Sequence, residues 1–156
     1  MELISGNDIE DFAGIKNKRI NSWIMQMLGF KDINAFYKQY SNKSTIEFLE
    51  GLLDEFKITI KIDQNDLKLI PRNGGFITVS NHPFGGWDGI ILLFLILKIR
   101  PDFKLMGNFL LDKISPLKDV IIPVNPFKDN ILPSENISGI KKSMRLIKED
   151  FPFGFF

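Results

Sequence analysis

The sequence predicts an α/β domain with a largely parallel or mixed sheet flanked by helices, preceded by an N-terminal helical region. Two observations support this prediction. Up to about residue 56, apolar residues recur at the spacing of amphipathic helices, and Pro and Gly are scarce. Beyond that point, short strand-like segments alternate with helical ones, as in sheets whose strands are joined by helices. We therefore expect a helical region over residues 1–56 and an α/β domain over residues 57–156.

Three helices are expected in the N-terminal region. The first ends at Gly29, and the third begins at Ser44, with Glu47 placed to complete a capping box. Each helix carries one apolar stripe. The stripes are Ile20, Trp23, Ile24, Met27 and Leu28 in the first helix, Ile33, Phe36, Tyr37 and Tyr40 in the second, and Phe48, Leu49, Leu52, Leu53 and Phe56 in the third.

Two strands are predicted early in the α/β region. KITIKI, residues 57–62, alternates like a half-exposed strand, and the polar turn DQND and the apolar run LKLI follow it. FITVS, residues 76–80, is more continuously apolar and is predicted to be a more buried strand. A helix follows from Trp87 to about Lys98, closed by Lys98 and Arg100 near its C-terminus.

The alternation of strands and helices continues to the last residue. FKLMG and DVIIPV are predicted strands on either side of a short helix at NFLLDKIS. Ser134 is predicted to cap a longer helix. The last residues, FPFGFF, read as the opening of one more buried strand, so we expect the natural domain to continue. The longer helix carries Ile137, Ile140, Met144 and Ile147 on one face.

The composition excludes several classes of function. The 156 residues include no Cys and one His, which excludes disulfides, thiolate nucleophiles and Cys-based or multi-histidine metal sites. The formal net charge is +1 and no basic stripe is visible, so nucleic-acid binding is not expected. The longest apolar run, residues 90–97, is far shorter than the roughly 20 residues that span a membrane. No secretory signal is expected either.

The stretch TVSNHPFGGWDG, residues 78–89, contains the single histidine, His82. It lies where a strand ends and a helix begins, the position at which ligand sites gather in open α/β sheets. Asp88 can receive the imidazole N–H, and the N–H groups of Gly85 and Gly86 can hold an anion or oxyanion. Local chemistry leaves two interpretations open: a catalytic pair, or a turn histidine beside an aspartate that complements the helix dipole.

Asn81, His82 and Asp88 in VSNHPFGGWDG resemble the first motif of the glycerolipid acyltransferases, the group that contains 1-acylglycerol-3-phosphate acyltransferase. The stretch is most similar to the bacterial branch described as hemolysin-like or as ornithine-lipid and glycine-lipid acyltransferases, which has an NHPxGGxDG form. The resemblance extends from about Gly74 to Phe156 and includes KLMGNFLL and IIPVNPF.

The resemblance implies an enzyme of membrane lipid biosynthesis. It would move a fatty acyl group from acyl-CoA or acyl carrier protein to a hydroxyl or amine of a lysolipid or amino-lipid. His82 would take the acceptor proton while Asp88 orients the imidazole. No metal and no cofactor beyond the acyl donor are expected. The implied substrate-binding residues are Asn81, Phe84, Gly85, Gly86, Trp87, Pro123 and Asn125.

The same resemblance implies a location and leaves one apolar surface open to two interpretations. The protein is expected to be cytoplasmic and peripheral on the inner face of the cell membrane, with its helical region resting on the membrane surface. One apolar surface would either meet the acyl chain or pack in the core. Its residues are Phe84, Trp87, Ile90, Ile91 and Phe94.

Three features depart from the pattern of the family. Five residues separate His82 from Asp88 instead of four, so the turn at residues 84–86 is expected to absorb the extra one. The second motif contains no Arg at residues 122–125, which favours an amino-acid or amino-lipid acceptor over a phosphate-bearing one. The third motif is missing, so we expect a truncated chain. Two alternatives remain: a noncatalytic lipid- or acyl-carrier-binding module of the same fold, and a thioester hydrolase.

Overall fold

The computed structural model describes residues 30–124 and 134–155, with side chains omitted at residues 30–32, 109–110 and 134–137. The chain divides into two compact units, of which the second begins at Ser44 and contains the sheet. The predicted boundary between residues 56 and 57 stays a prediction.

Helix α1, Phe30–Tyr40, makes up most of the described part of the first unit. It confirms the second predicted helix, and it buries Phe36 and Tyr37 from its apolar stripe. The rings of Phe36 and Tyr40, one helical turn apart, stack with centroids 4.5 Å from each other. The helix predicted to end at Gly29 lies outside the described residues.

The second unit alternates helices with four strands. All four strands are parallel, and they lie in the order β1-β4-β2-β3. This arrangement confirms the predicted α/β class and the four strand positions from FITVS onward. In chain order the elements are α2 (Thr45–Glu55), α3 (Gln64–Lys68), β1 (Ile77–Val79), α4 (Gly86–Leu97), β2 (Lys104–Asn108), two 3₁₀ helices (Phe109–Lys113 and Ser115–Leu117), β3 (Ile121–Val124), α5 (Ser134–Lys148) and β4 (Phe153–Phe155).

The two crossover helices cover opposite faces of the sheet. The connection from β1 through α4 to β2 and the connection from β3 through α5 to β4 run in opposite directions across it. Because parallel crossovers are right-handed, helices on connections of opposite direction lie on opposite faces. Helix α2 packs against α4 and so shares its face. The side chains nine-tenths or more buried include Leu49, Leu93, Phe103, Leu105, Leu117 and Ile121.

Ser44 and Glu47 begin α2 with the predicted capping box. Glu47 Oε2 accepts a hydrogen bond from the Ser44 N–H at 2.9 Å, and Ser44 Oγ accepts one from the Glu47 N–H at 3.3 Å. Two backbone donors that the helix itself leaves unpaired are thereby satisfied. The apolar stripe then buries Phe48, Leu49 and Leu53, while Phe56, just after the helix, is 43% exposed.

The predicted strand at KITIKI and the apolar run LKLI are not strands. Residues 58–62 pair with none of the four strands of the described sheet, and residues 64–68 form α3. The cause of the helix is local: Asp63 Oδ1 accepts a hydrogen bond from the Asn65 N–H at 2.8 Å and caps it. The alternation of KITIKI indicates an extended segment, but a strand also needs a partner strand.

Strand β1 is more exposed than its apolar sequence predicts. Ile77 is 50% exposed and Val79 is 70% exposed. β1 lies at one edge of the described sheet and hydrogen-bonds to β4 on one side only. Its side chains therefore lack the neighbours that a central strand would supply.

The apolar residues of α5 share one face, as predicted, but that face is exposed. Ile140 is 50%, Met144 54% and Ile147 43% exposed. The helix instead turns Gly139 and Ser143 to the sheet, where a Cβ on Gly139 would lie 2.9 Å from the Pro123 carbonyl oxygen. Small residues allow this close approach of helix and strand, so packing distance selects the buried face. The side chains of Ser134, the predicted cap, and Ile137 lie outside the described residues.

Arg100 connects segments of the chain at the end of the sheet where the strands begin. Its Nε and Nη2 donate to the two carboxylate oxygens of Asp102 at 2.9 and 2.8 Å, and Nη1 donates to the carbonyls of Pro71 and Gly74 at 3.1 and 2.7 Å. The side chain is only 7% exposed. The hydrogen bonds from Arg100 lower the pKa of Asp102, and the same bonds raise the pKa of Arg100.

Candidate active site

The His82 loop, residues 80–85, connects the end of β1 to the start of α4. A turn over residues 83–85 reverses the chain, and Gly85 adopts φ 61° and ψ −131°. This conformation is largely restricted to glycine because a Cβ would clash with the backbone. The Gly85 carbonyl then accepts the Asp88 N–H at 3.2 Å and begins the helix. The loop therefore brings a residue six positions after His82 back towards the imidazole.

His82 and Asp88 lie close together in this loop. Nδ1 of His82 is 3.6 Å from Oδ2 of Asp88, and the side chains are 42% and 20% exposed. The same Oδ2 accepts a hydrogen bond from the Phe84 N–H at 2.8 Å. Asp88 is therefore fixed by the backbone of the loop while it faces the imidazole. A turn absorbs the longer spacing between the two residues, but it covers residues 83–85, one position before the expected 84–86.

The hydrogen bond from the Phe84 N–H to Asp88 was not anticipated from the sequence. A signal for it exists, because Asp88 is the third residue of a helix whose N-cap, Gly85, has no side chain to accept a backbone donor. An acidic residue at this position commonly accepts a hydrogen bond from the N–H of a residue just before the helix. Asp88 thus has two roles: it holds the turn and it faces His82.

The surface around Gly85 and Gly86 is open. Beyond the backbone of the loop and of α4 itself, a Cβ on either glycine would meet no atom within 4 Å. The first N–H groups of α4 have no partner within the helix, and a helix N-terminus attracts negative charge. A ligand can therefore approach this backbone closely, beside an imidazole that is itself accessible to solvent.

Phe84 and Trp87 have different environments. Phe84 is 76% exposed, whereas the ring of Trp87 lies edge-on to the ring of Phe56, with 4.8 Å between centroids. Phe84 is therefore available to an apolar ligand. Trp87 at least partly serves to pack the start of α4 against the end of α2.

A family model described as Acyltransferase matches residues 13–132, which include the whole His82 loop. The chain belongs to this acyltransferase family. The match covers more than three quarters of the sequence and ends just before α5, which begins at Ser134.

Two curated proteins are similar to this acyltransferase-family chain, and both are named lyso-glycine lipid O-acyltransferase. The protein from Phocaeicola vulgatus is 33% identical over 118 residues, which cover 72% of this chain and 42% of the relative. The protein from Bacteroides thetaiotaomicron is 28% identical over 109 residues, which cover 69% and 39%. The chain therefore spans about two fifths of the length of these relatives. No solved structure matches it.

The fold brings together some of the predicted site residues but not all of them. Asn81, Phe84, Gly85, Gly86 and Trp87 lie in or beside the His82 loop with the His82 and Asp88 pair. Pro123 lies on β3, at the opposite edge of the described sheet from β1. Three strand spacings, about 14 Å, separate the two edge strands. Asn125 lies outside the described residues, and the substrate-binding roles of all these residues stay predictions.

The described part of the chain has no group of three or more metal-ligating His, Asp or Glu side chains. Among the described residues, no helix is long and apolar enough to cross a membrane.

Proposed function

We propose that this chain is an acyltransferase that moves a fatty acyl group from a thioester, acyl-CoA or acyl carrier protein, to a hydroxyl group of a lysolipid. The observation that carries this proposal is the approach of Asp88 to Nδ1 of His82 in an exposed loop. The membership of the chain in the acyltransferase family supports it.

In the proposed reaction His82 acts as a general base. Asp88 faces Nδ1 and favours the tautomer that carries the proton there, which leaves Nε2 to accept the proton of the acceptor hydroxyl. The hydroxyl oxygen bonds to the thioester carbonyl carbon, and the carbonyl electrons form an oxyanion. When the oxyanion collapses, the C–S bond breaks, and the leaving thiolate takes the proton from the imidazolium. Acyl transfer then needs no covalent intermediate with the protein.

The start of α4 is the proposed position of the oxyanion. The N–H groups at the start of α4 lie beside the open surface of Gly85 and Gly86. No side chain there blocks an approaching carbonyl. Backbone donors fixed before the reaction stabilise a developing negative charge without having to reorganise. Phe84 is exposed and is the one large apolar side chain within residues 80–85, and we assign it to contact with the acyl chain.

The acceptor in this proposal is a lysolipid that carries an amino acid, and the acylated atom is its hydroxyl oxygen. Both relatives are named as O-acyltransferases of a lyso-glycine lipid, which favours a hydroxyl over an amine. The absence of an Arg at residues 122–125 agrees with an acceptor that lacks a phosphate.

The test is an acyl-transfer assay on the 156-residue chain. Labelled acyl-CoA, and separately acyl carrier protein, is supplied with a lyso-glycine lipid, and the diacylated product is separated and counted. His82→Ala should lower the rate by about 10²- to 10⁴-fold, the usual contribution of a general base. Lys61→Ala, an exposed substitution outside the His82 loop, is the matched control and should keep the rate of the wild type.

Three outcomes would contradict the proposal. Transfer that survives His82→Ala would exclude His82 as the base. Binding of lipid or acyl donor by the wild type without any transfer would instead indicate a noncatalytic binding module. Release of free fatty acid in the absence of an acceptor, at the rate seen with it, would indicate a thioester hydrolase.

A further inference from the structure

Helix α5 presents three neighbouring stripes along its length, each repeating with the i, i+4, i+7 spacing of one helix face. The first stripe, Gly139, Ser143 and Leu146, faces the protein: Gly139 and Ser143 are buried and Leu146 is half-buried. The second stripe is apolar and exposed, and each of its residues directly follows a residue of the first stripe: Ile140, Met144 and Ile147. The third stripe is basic, and each of its residues directly follows a residue of the second stripe: Lys141, Arg145 and Lys148, all exposed.

The α5 face, defined as the apolar stripe together with the basic stripe, is unusual for a solvated surface. Three large apolar side chains, each between 43% and 54% exposed, follow one another over two turns of helix. Scattered apolar residues on a surface are ordinary, but a contiguous patch indicates a binding surface. The sequence pattern alone would turn this stripe to the core, where the small residues lie instead.

The charge of the α5 face favours one kind of partner. From residue 138 to residue 148 the helix has four basic residues and no acidic one. Of the two acidic residues that follow, Glu149 accepts a hydrogen bond from Arg145 at 2.7 Å, so this pair offsets one basic charge with one acidic charge and leaves the three lysines of the helix. Asp150 accepts a hydrogen bond from the Gly75 N–H at 2.7 Å. An apolar stripe bordered by Lys and Arg is typical of helices that lie in the interface of an anionic bilayer.

We propose that the α5 face is the surface through which this chain contacts an anionic lipid bilayer. Ile140, Met144 and Ile147 would enter the boundary between headgroups and acyl chains. Lys141 and Lys148, one residue further along the helix from Ile140 and Ile147, would lie at the headgroup level and contact lipid phosphate with their ammonium groups. The inference rests on the proposed function only in expecting a lipid acceptor, and it names the partner surface that would supply it.

The experiment measures binding of the purified 156-residue chain to vesicles by co-sedimentation, with no acyl donor and no lysolipid. Vesicles of phosphatidylcholine mixed with phosphatidylglycerol are compared with vesicles of phosphatidylcholine alone. We expect binding to the anionic vesicles that weakens as salt is added, and much weaker binding to the neutral ones. His82→Ala should bind like the wild type, so failure of the proposed chemistry and failure of this inference are distinguishable.

Two sets of variants separate the contributions of the apolar and basic stripes. Lys141→Gln with Lys148→Gln should weaken binding to anionic vesicles about 25-fold, about fivefold for each charge. Lys57→Gln with Lys61→Gln removes the same charge elsewhere and should leave binding unchanged. Ile140→Ser, Met144→Ser and Ile147→Ser combined should weaken binding more than about tenfold. Leu69→Ser is the control for the serine variants, because Leu69 is 78% exposed at the end of another helix.

Because every substituted side chain is exposed, circular dichroism and thermal unfolding should match those of the wild type. Wild-type binding by either α5 variant set would overturn the proposal. Equal binding to neutral and anionic vesicles would overturn it as well. So would self-association in sedimentation equilibrium that the serine variants abolish, without vesicle binding, because the α5 face would then join two copies of the chain.

Discussion

The sheet is built differently at the end where its strands begin and at the end where β1 leads into the His82 loop. Where the strands begin, four hydrogen bonds hold Arg100, and its side chain is 7% exposed. Where β1 ends, His82 is 42% exposed, and 3.6 Å separates it from Asp88. The glycines differ in the same way: a Cβ would meet the backbone of Asp150 at Gly75 and nothing at Gly86. The end where the strands begin is filled and stabilises the fold, whereas the end with the His82 loop leaves space for a reacting molecule.

Removing Arg100 should have the largest effect on stability. In Arg100→Ala the carbonyls of Pro71 and Gly74 lose a donor in a part-buried site, and Asp102 loses its partner. We expect the free energy of unfolding to fall by about 3 kcal/mol, measured by urea denaturation. His82→Ala is the matched control and should change it by less than about 0.5 kcal/mol. A similar loss in both variants would remove the contrast between the two ends of the sheet.

The glycines test the same contrast with one methyl group each. Gly75→Ala places a Cβ about 2.9 Å from the Asp150 carbonyl carbon, and we expect it to destabilise the fold by about 2 kcal/mol. Gly86→Ala meets open space and should leave stability within about 0.5 kcal/mol of the wild type. The measurement is thermal unfolding of the two variants. Equal destabilisation would show that the surface beside the His82 loop is not open.

Asp88→Asn examines the role of the carboxylate charge beside His82. The amide oxygen can still accept the Phe84 N–H, so the loop should keep its conformation. Loss of the charge weakens the orientation of the imidazole, and turnover should fall at least about tenfold. The measurement is the acyl-transfer rate, with Asp66→Asn as a control outside the site. Unchanged turnover would show that Asp88 only holds the turn.

Asp102→Asn should have the smallest effect, and its size should depend on pH. Arg100 lowers the pKa of Asp102, so this pair stabilises the fold fully above the unfolded pKa of about 4 and loses its effect as the pH falls through the folded pKa. Asp102 is 38% exposed, so we expect a difference below about 1 kcal/mol at neutral pH. Unfolding experiments at neutral and acidic pH should show that difference shrinking towards pH 3. A difference independent of pH would exclude the charge as its source.

Much of the site could be predicted from the sequence because its signals are local. The His82 loop follows a strand and opens a helix, its two glycines mark the turn, and the aspartate falls in the first turn of α4. The capping box of α2 was predicted for the same reason, since Ser44 and Glu47 lie three positions apart. Interactions of this kind depend on neighbours along the chain.

Most of the features that were missed depend on partners distant in sequence, although the Phe84 N–H to Asp88 hydrogen bond and the Asp63 cap of α3 are local. The contacts of Arg100 with Pro71 and Gly74 lie 29 and 26 positions away, and from the sequence Arg100 was expected only to close a helix. On α5, spacing identifies an apolar stripe but not the packing distance that turns Gly139 and Ser143 to the sheet. KITIKI alternates like a strand, yet no strand of the described sheet pairs with it.

The pairing of β1 with β4 affects the order in which the protein assembles during synthesis. In the described sheet, β1 hydrogen-bonds to β4 alone, and the segments that meet there, at Gly75 and Asp150, are 75 positions apart. At about 5–20 residues per second, a ribosome needs about 4–15 seconds to make the intervening chain. Throughout that interval β1, the strand that leads into the His82 loop, lacks the strand with which it pairs. The nascent chain therefore has an unpaired strand, which is prone to aggregation, next to its candidate active site.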